Sequence, residues 1–139
     1  MKIILILALT LELFAFDRVT ASKIFDKIFQ ALVPQEKVLV YAPDEMYADV
    51  IANSVHLSLS DDSKKADVIL VNTLKDIPKG SENKLLFATS YLVYKQNKNA
   101  VGAFYWDRGH IKIEFSKKRL RDKNVSLPES FEKYIQDDT

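Results

Sequence analysis

Residues 66–72, with the sequence ADVILVN, constrain the fold more than any other part of the chain. Four consecutive branched apolar residues lie between Asp67 and Asn72. An apolar run of this length without polar alternation is typical of a strand buried on both faces, as in a parallel sheet covered by helices on both sides. We therefore expect an α/β fold organised around this strand.

The segments before residue 66 predict a helix, a strand, a second helix and a further strand. Residues 20–32 carry an apolar stripe at helical spacing that includes Phe25 and Phe29, and residues 37–42 form a short apolar run. Asp44 is a suitable N-cap for the second helix, whose apolar side is expected to hold Tyr47, Val50, Ile51 and Val55. Residues 56–60 alternate and predict a short strand near the edge of the sheet.

The segments after residue 72 predict a loop, a strand, a short helix and then a hairpin. Residues 84–89 form the strand, residues 90–98 the helix or turn, and residues 100–106 and 110–115 the two arms of the hairpin. We expect Asp107-Arg108-Gly109 to join the arms. A three-residue connection that ends in glycine is common in hairpins, because glycine adopts the left-handed conformation without strain. Ser116 is expected to cap a basic helix at residues 117–123.

The C-terminal residues predict one more helix. Ser126 and Glu129 have capping-box spacing, and Leu127, Phe131, Tyr134 and Ile135 are expected to dock on the core. The fold class predicted from the whole order is α/β: a single-domain sandwich with a mainly parallel central sheet, an antiparallel C-terminal hairpin and helices on both faces.

The N-terminal residues resemble a secretory signal peptide. Lys2 precedes residues 3–11, which are apolar apart from Thr10, and Ala15 is a small residue at a suitable −1 cleavage position. The apolar run is shorter than the roughly 20 residues that span a bilayer. An alternative is a first buried strand, residues 2–9, of a cytosolic domain. We expect cleavage after Ala15, with residues 16–139 forming a single periplasmic domain.

Composition argues against several functional classes. Charged residues make up 28% of the 139 residues and nearly balance, with a net charge of +1, so nucleic acid is not an expected partner. The absence of cysteine excludes disulfides, thiol nucleophiles and zinc–thiolate sites, and three glycines cannot build a glycine-rich phosphate cradle. His56 and His110 lack partners at metal-ligand spacing and are expected to be surface residues. We expect no catalytic residues, no cofactor and no metal, and therefore no enzyme.

Polar residues follow three of the predicted parallel strands. Open parallel sheets bind ligands beyond the carboxyl ends of their strands, beside helix N-termini that favour anions. The alternative is that these side chains only cap helices and turns. The candidate residues for binding a small anion or metabolite are Asp44, Asn72, Thr73, Thr89, Ser90 and Tyr91.

The hairpin tip carries a second set of candidates. Tyr105, Trp106 and Arg108 are of the residue types enriched at interaction hot spots, so we expect a partner contact there. The alternative is that either Trp106, together with Phe104, or Tyr105 belongs to the core. The basic residues at 117–123 are expected to form a solvated helix face, the alternative being contact with anionic lipid or an acidic partner.

Residues 100–115 (AVGAFYWDRGHIKIEF) resemble the closing hairpin of the YfiR-like periplasmic regulators. In that family a strand with Gly-Phe is followed by an acidic residue, a glycine, a basic residue and a strand that contains Phe-Glu. Residues 116–135, and the strands ending at Asn72 and Ser90, follow the same order as in that family. The chain lacks the tryptophan that ends the family's first helix, and the family's cysteines. The resemblance implies a secreted, non-enzymatic protein that binds the periplasmic part of an inner-membrane signalling protein, such as a diguanylate cyclase or a histidine kinase.

The sequence therefore leaves two candidate functions, which predict different surfaces. A regulator that binds a membrane signalling protein should display an exposed apolar patch. A small solute-binding module should instead have a polar concavity near Asn72, Thr73 and Ser90.

Overall fold

The predicted buried segment forms an interior strand, the third of seven in the sheet. The computed structural model describes residues 17–137. The helices are α1 (Arg18–Leu32), α2 (Glu45–Ala52), α3 (Tyr91–Gln96) and α4 (Lys117–Asp122). The strands are β1 (Val38–Tyr41), β2 (Leu57–Leu59), β3 (Val68–Val71), β4 (Leu85–Ala88), β5 (Ala100–Asp107), β6 (His110–Ser116) and β7 (Ile135–Gln136). Two 3₁₀ segments lie at Leu74–Asp76 and Glu129–Tyr134.

The sheet has the order β2-β1-β3-β4-β5-β6-β7. The first five of these strands pair in parallel, β5 and β6 form an antiparallel hairpin, and β7 adds to β6 in parallel. After β1 the chain adds β2 on one side, and it then adds β3, β4 and β5 on the other side. The order therefore reverses between β1 and β3, which is the switch point of a doubly wound sheet. The predicted α/β fold class is confirmed.

Strand β3 contributes to a core on each face of the sheet. Val68 and Leu70 belong to the cluster covered by α1 and α2, and Ile69 and Val71 belong to the cluster covered by α3. All four side chains are buried, which confirms that this strand is covered on both sides. Branched side chains suit such a strand because neither face meets water.

Aromatic rings fill the larger core. Phe25 of α1 lies 5.1 Å from Phe104 of β5, and Phe29 lies 5.4 Å from Phe87 of β4, measured between ring centroids. Both pairs are close to edge-to-face, an arrangement that aromatic rings prefer. The apolar stripe predicted for the first helix is therefore confirmed as its buried face.

The helix starts are set by side-chain caps. Asp17 accepts hydrogen bonds from the Thr20 hydroxyl at 2.6 Å and from the Thr20 N–H at 3.1 Å, so α1 begins two residues before its predicted start. These bonds hold the pKa of Asp17 below its ordinary value. Ser116 accepts from the Arg119 N–H at 3.1 Å, which confirms the predicted cap of the basic helix. Each cap satisfies an N–H group that has no partner within its own helix.

Two local predictions were wrong. The hairpin turn has two residues, Arg108 and Gly109, because Asp107 pairs with His110 across the strands. Both turn residues have positive φ, 53° and 81°, as in the turns whose twist matches a hairpin. Val55 does not belong to the apolar face of α2: it lies after the helix end, is 72% exposed, and donates its N–H to the Asp26 carboxylate.

The predicted last α-helix is replaced by a 3₁₀ segment and β7. Pro128 occupies the cap position, with no side-chain cap bond, so the capping box of Ser126 and Glu129 does not form. The open edge of β6 instead receives Ile135 opposite Phe115 and satisfies backbone groups there. The docking prediction is confirmed, because the apolar side chains of this segment pack on the larger core. These are Leu127, Phe131, Tyr134 and Ile135.

The predicted signal peptide and its cleavage after Ala15 lie outside the described residues. Among residues 17–137, none of the helices combines the length and the apolar character that crossing a membrane requires.

Candidate binding surface at the C-terminal edge of the sheet

The carboxyl ends of β1, β3 and β4 lie at one edge of the sheet, because these strands are parallel neighbours. The predicted ligand residues therefore share this edge. Asp44 follows β1, and Asn72 and Thr73 follow β3. Thr89, Ser90 and Tyr91 follow β4.

A hydrogen-bonded group of side chains joins three of the elements at this edge. The Thr89 hydroxyl donates to Asn72 Oδ1 at 2.8 Å, and the Tyr47 phenol of α2 is hydrogen-bonded to Thr89. Burial raises the pKa of Tyr47, and the charge of Asp44 raises it further, while the bond with Thr89 opposes the shift. The phenol is thus neutral, and Asn72 and Thr89 are already bonded to each other.

Two predicted ligand residues act as helix caps. Asp44 Oδ1 accepts hydrogen bonds from the N–H groups of Met46 at 3.0 Å and Tyr47 at 3.4 Å. Ser90 Oγ accepts from the Val93 N–H at 3.1 Å. These contacts match the alternative interpretation, in which the polar residues stabilise helix ends. Thr73 differs, because its Oγ1 is buried and has no hydrogen-bond partner among residues 17–137.

Apolar side chains are exposed at the same edge. Leu74 lies in the 3₁₀ segment after β3 and is 42% exposed, while Tyr91 and Leu92 begin α3 after β4 and are 50% and 57% exposed. Leu74 and Leu92 were not predicted from the sequence as site residues. Each lies just after the polar residues that follow a buried strand, and this position could have indicated them. Three exposed apolar side chains therefore lie at the same edge as the internally bonded polar groups.

The hairpin candidates point to opposite faces of the sheet. Trp106 is partly buried on the larger core, with its ring 5.0 Å from that of Phe104. Tyr105 packs on the smaller core, and its ring lies 6.0 Å from that of Tyr91. Arg108 occupies the turn with its side chain 92% exposed. The structure therefore groups Tyr105 with Tyr91 and separates it from Trp106.

Tyr105 is held by a short hydrogen bond. Its hydroxyl donates to Glu114 Oε2 at 2.5 Å across the hairpin. Burial, followed by the bond to Glu114 and the charge of that residue, raises the pKa of Tyr105 well above its ordinary value. Tyr105 is therefore a neutral donor that fixes the Glu114 carboxylate.

The basic residues of α4 contact the protein itself. Arg119 Nη1 donates to the carbonyl of Tyr94 at 2.7 Å and to that of Ala100 at 3.0 Å. Lys118 pairs with Asp122 at 2.8 Å, and Lys123 donates to the carbonyl of Glu82. Arg119 and Lys123 therefore join this segment to its neighbours, whereas the Lys118 pair lies within α4 and is exposed, as expected for a solvated helix face.

Three surface cavities lie away from Asp44, Asn72 and Thr73. One of about 630 Å³ adjoins the C-terminal segment, one of about 600 Å³ lies between α3 and α4, and one of about 350 Å³ lies between α1 and α2. Tyr91 is the one predicted ligand residue that lines any of these three. Within residues 17–137, no group of three or more His, Cys, Asp or Glu side chains has a metal-binding arrangement.

No family model matches the chain, and no curated protein does. Two solved structures have a similar fold. A conserved domain protein from Vibrio cholerae O1 biovar El Tor str. N16961 is 10% identical, with a TM-score of 0.54 over 84% of this chain and 59% of that one. An ABC domain in complex with L-Trp from Streptococcus pneumonia is 11% identical, with a TM-score of 0.56 over 81% of this chain and 58% of that one. The chain thus spans less than two thirds of each, and the likeness at these identities is one of fold.

Proposed function

We propose that the chain is a non-catalytic periplasmic binding domain that regulates an inner-membrane signalling protein by protein–protein contact. The contact surface is the apolar edge defined by Leu74, Tyr91 and Leu92. One observation carries this proposal: the edge exposes three large apolar side chains, while Asp44, Ser90, Asn72 and Thr89 are bonded within the domain.

The choice between the two expected functions rests on this contrast. A solute site needs convergent polar groups that are free to bind the ligand, whereas a protein-binding surface needs apolar area that loses water on contact. The resemblance of the hairpin to YfiR-like regulators supports a diguanylate cyclase or histidine kinase as the partner class. Arg108 at the exposed turn remains a candidate peripheral contact, and Trp106 is less accessible because it packs on Phe104.

The test is co-purification of the mature protein, from Phe16 onward, with solubilised membranes of its source, followed by identification of the captured protein. The test variant is Leu74→Ser/Leu92→Ser. The matched control is Val19→Ser/Val55→Ser, because those valines are also exposed but lie beside the α1–α2 cavity. Trp106→Ala is a poor probe, since it would also remove packing from the core.

The expected result is recovery of one membrane signalling protein by the wild type and the control, and its loss with Leu74→Ser/Leu92→Ser. Circular dichroism of all variants verifies that they are folded. Recovery that is unchanged in the test variant contradicts the proposed surface. The absence of any membrane signalling protein from the wild-type sample contradicts the proposed function.

A second candidate function is binding of a small solute at the switch point between β1 and β3. It is favoured by the buried Thr73 Oγ1, which has no hydrogen-bond partner among the described residues. A neighbour with this fold is in complex with L-Trp, and amino acids are accordingly the first solutes to screen. A thermal shift with an amino acid that disappears in Thr73→Val supports this candidate, and a shift that persists in the variant contradicts it.

A further inference from the structure

The cavity of about 600 Å³ between α3 and α4 has the size of a small-molecule site. We call it the α3–α4 groove. One wall carries Tyr91 and Lys95 of α3 and Lys98, which lies two residues after the end of that helix. The α4 wall carries Lys118 and Asp122, and Glu114 of β6 and Asp137 also line the groove. None of the interactions proposed above uses Lys95 or Lys98.

The two walls of the groove are tied together by Arg119. Its guanidinium donates to the carbonyls of Tyr94 and Ala100, at the end of α3 and the start of β5, and lies 4.6 Å from the centre of the Tyr94 ring. A planar guanidinium that both donates and stacks fixes the relative position of two elements. The groove is therefore preformed, which reduces the entropy lost when a ligand binds.

The groove is lined by four cationic side chains and three carboxylates, and the carboxylates have partners other than Lys95 and Lys98: Asp137 pairs with Lys117 at 4.0 Å. Lys118 pairs with Asp122 at 2.8 Å, and Glu114 accepts the hydrogen bond from Tyr105. In contrast, Lys95 and Lys98 form no ion pair within 4.0 Å in the part of the chain that the structure describes. Lys95 of α3 and Lys98, two residues after the end of that helix, therefore place two ammonium groups without carboxylate partners on one wall, which favours an anion.

An aromatic platform stands beside these cations. The Tyr91 ring is half exposed, lies 6.0 Å from the Tyr105 ring, and has Lys95 Nζ 5.8 Å from its centre. The hydrogen bond from Tyr105 to Glu114 holds the second ring in place. A planar apolar group stacked on Tyr91 would place an attached anionic group within the reach of Lys95.

We propose that the α3–α4 groove binds a small aromatic carboxylate, with the ring stacked on Tyr91 and the carboxylate held by Lys95 and Lys98. The ring and the charge are both needed. Since the site depends on Lys95 and Lys98, it can be tested separately from protein docking through Leu74 and Leu92.

The experiment is calorimetric titration of the mature protein with three probes: indole-3-acetate, its neutral analogue indole-3-acetamide, and inorganic phosphate. We expect the carboxylate to bind at least about tenfold more tightly than the amide, and phosphate to give no measurable binding at millimolar concentration. The variant Lys95→Gln/Lys98→Gln should weaken carboxylate binding by about tenfold or more. The control Lys27→Gln/Lys64→Gln removes the same charge at exposed sites elsewhere and should bind as the wild type does.

Each alternative result overturns the inference. No heat with indole-3-acetate excludes the site. Equal binding of the carboxylate and the amide removes the role of Lys95 and Lys98, and binding of phosphate as tight as that of the carboxylate removes the role of the ring. Equal weakening in both lysine double variants shows a general charge effect and not a defined groove.

Discussion

Gly102 of β5 lies opposite Phe115 of β6, and the space beside it is too small for a side chain. A Cβ added there would lie 2.5 Å from Phe115 Cδ1 and 2.7 Å from the Glu114 carbonyl oxygen. The Phe115 ring is fully buried, with Phe87 at 5.9 Å and Phe131 at 6.1 Å between centroids, so it cannot move away freely. The carbonyl belongs to the backbone and cannot rotate away as a side chain would.

The free energy of unfolding of Gly102→Ala follows from these contacts. Overpacking a filled core costs roughly 1–3 kcal/mol, and three contacts below 3.0 Å place this position near the upper end. Replacing glycine lowers the entropy of the unfolded chain, which offsets about 0.5–1 kcal/mol. We therefore expect a net loss of about 2 kcal/mol, or a fall in Tm of about 8 °C for a domain of this size.

The assay is urea unfolding followed by circular dichroism, with Gly80→Ala as the control. Gly80 has φ of +77° and no atom within 4 Å of an added Cβ, so its substitution tests backbone strain without crowding. That strain costs roughly 1–2 kcal/mol. Adding Phe115→Leu to Gly102→Ala should recover about 1 kcal/mol relative to additive effects, because it removes the ring from the contact. A Gly102→Ala protein within about 0.5 kcal/mol of the wild type refutes the crowding argument.

Two further changes test the groove and the hairpin. Arg119→Lys keeps the charge but loses the planar donors to the carbonyls of Tyr94 and Ala100. The free energy of unfolding should therefore fall by roughly 1–3 kcal/mol. An unchanged urea midpoint would show that the hydrogen bonds of Arg119 contribute nothing to stability. Tyr105→Phe tests the raised pKa of Tyr105. As the pH rises, the phenol loses its proton in the unfolded chain before it does so in the folded one. Its contribution to the free energy of unfolding is therefore complete below about pH 10 and is lost as the pH rises further. Between about pH 10 and 11, wild-type stability should fall more steeply than that of Tyr105→Phe, and parallel unfolding curves would contradict this assignment.

Much of the fold was predictable because its signals are local. The apolar run of β3, the stripe of α1 and the caps Asp44 and Ser116 each depend on residues within one or two turns of the same segment. Helical periodicity and cap chemistry act at this range, so the elements and most of their order could be predicted. Once β2 is placed at the edge and β3 in the interior of the sheet, the switch point lies between β1 and β3.

The candidate site was predictable only in part. The strand ends meet at one edge as expected, but the sequence could not show that Thr89 bonds to Asn72 or that Tyr47 reaches Thr89. Such pairings depend on the register of neighbouring strands and on the direction of α2 across them. The exposure of Leu92 likewise depends on which face of the short helix α3 meets the sheet.

The C-terminal segment shows the limit most clearly. Its capping box predicted a helix, whereas the open edge of β6 takes up Ile135 as a strand, because pairing there satisfies backbone groups and still buries Phe131. The sequence by itself determined the elements whose stability comes from their own neighbours in the chain. The tertiary structure alone decided the strand pairing, the contact of Tyr91 with Tyr105 and the two walls of the α3–α4 groove, because each joins residues whose encounter depends on the whole sheet.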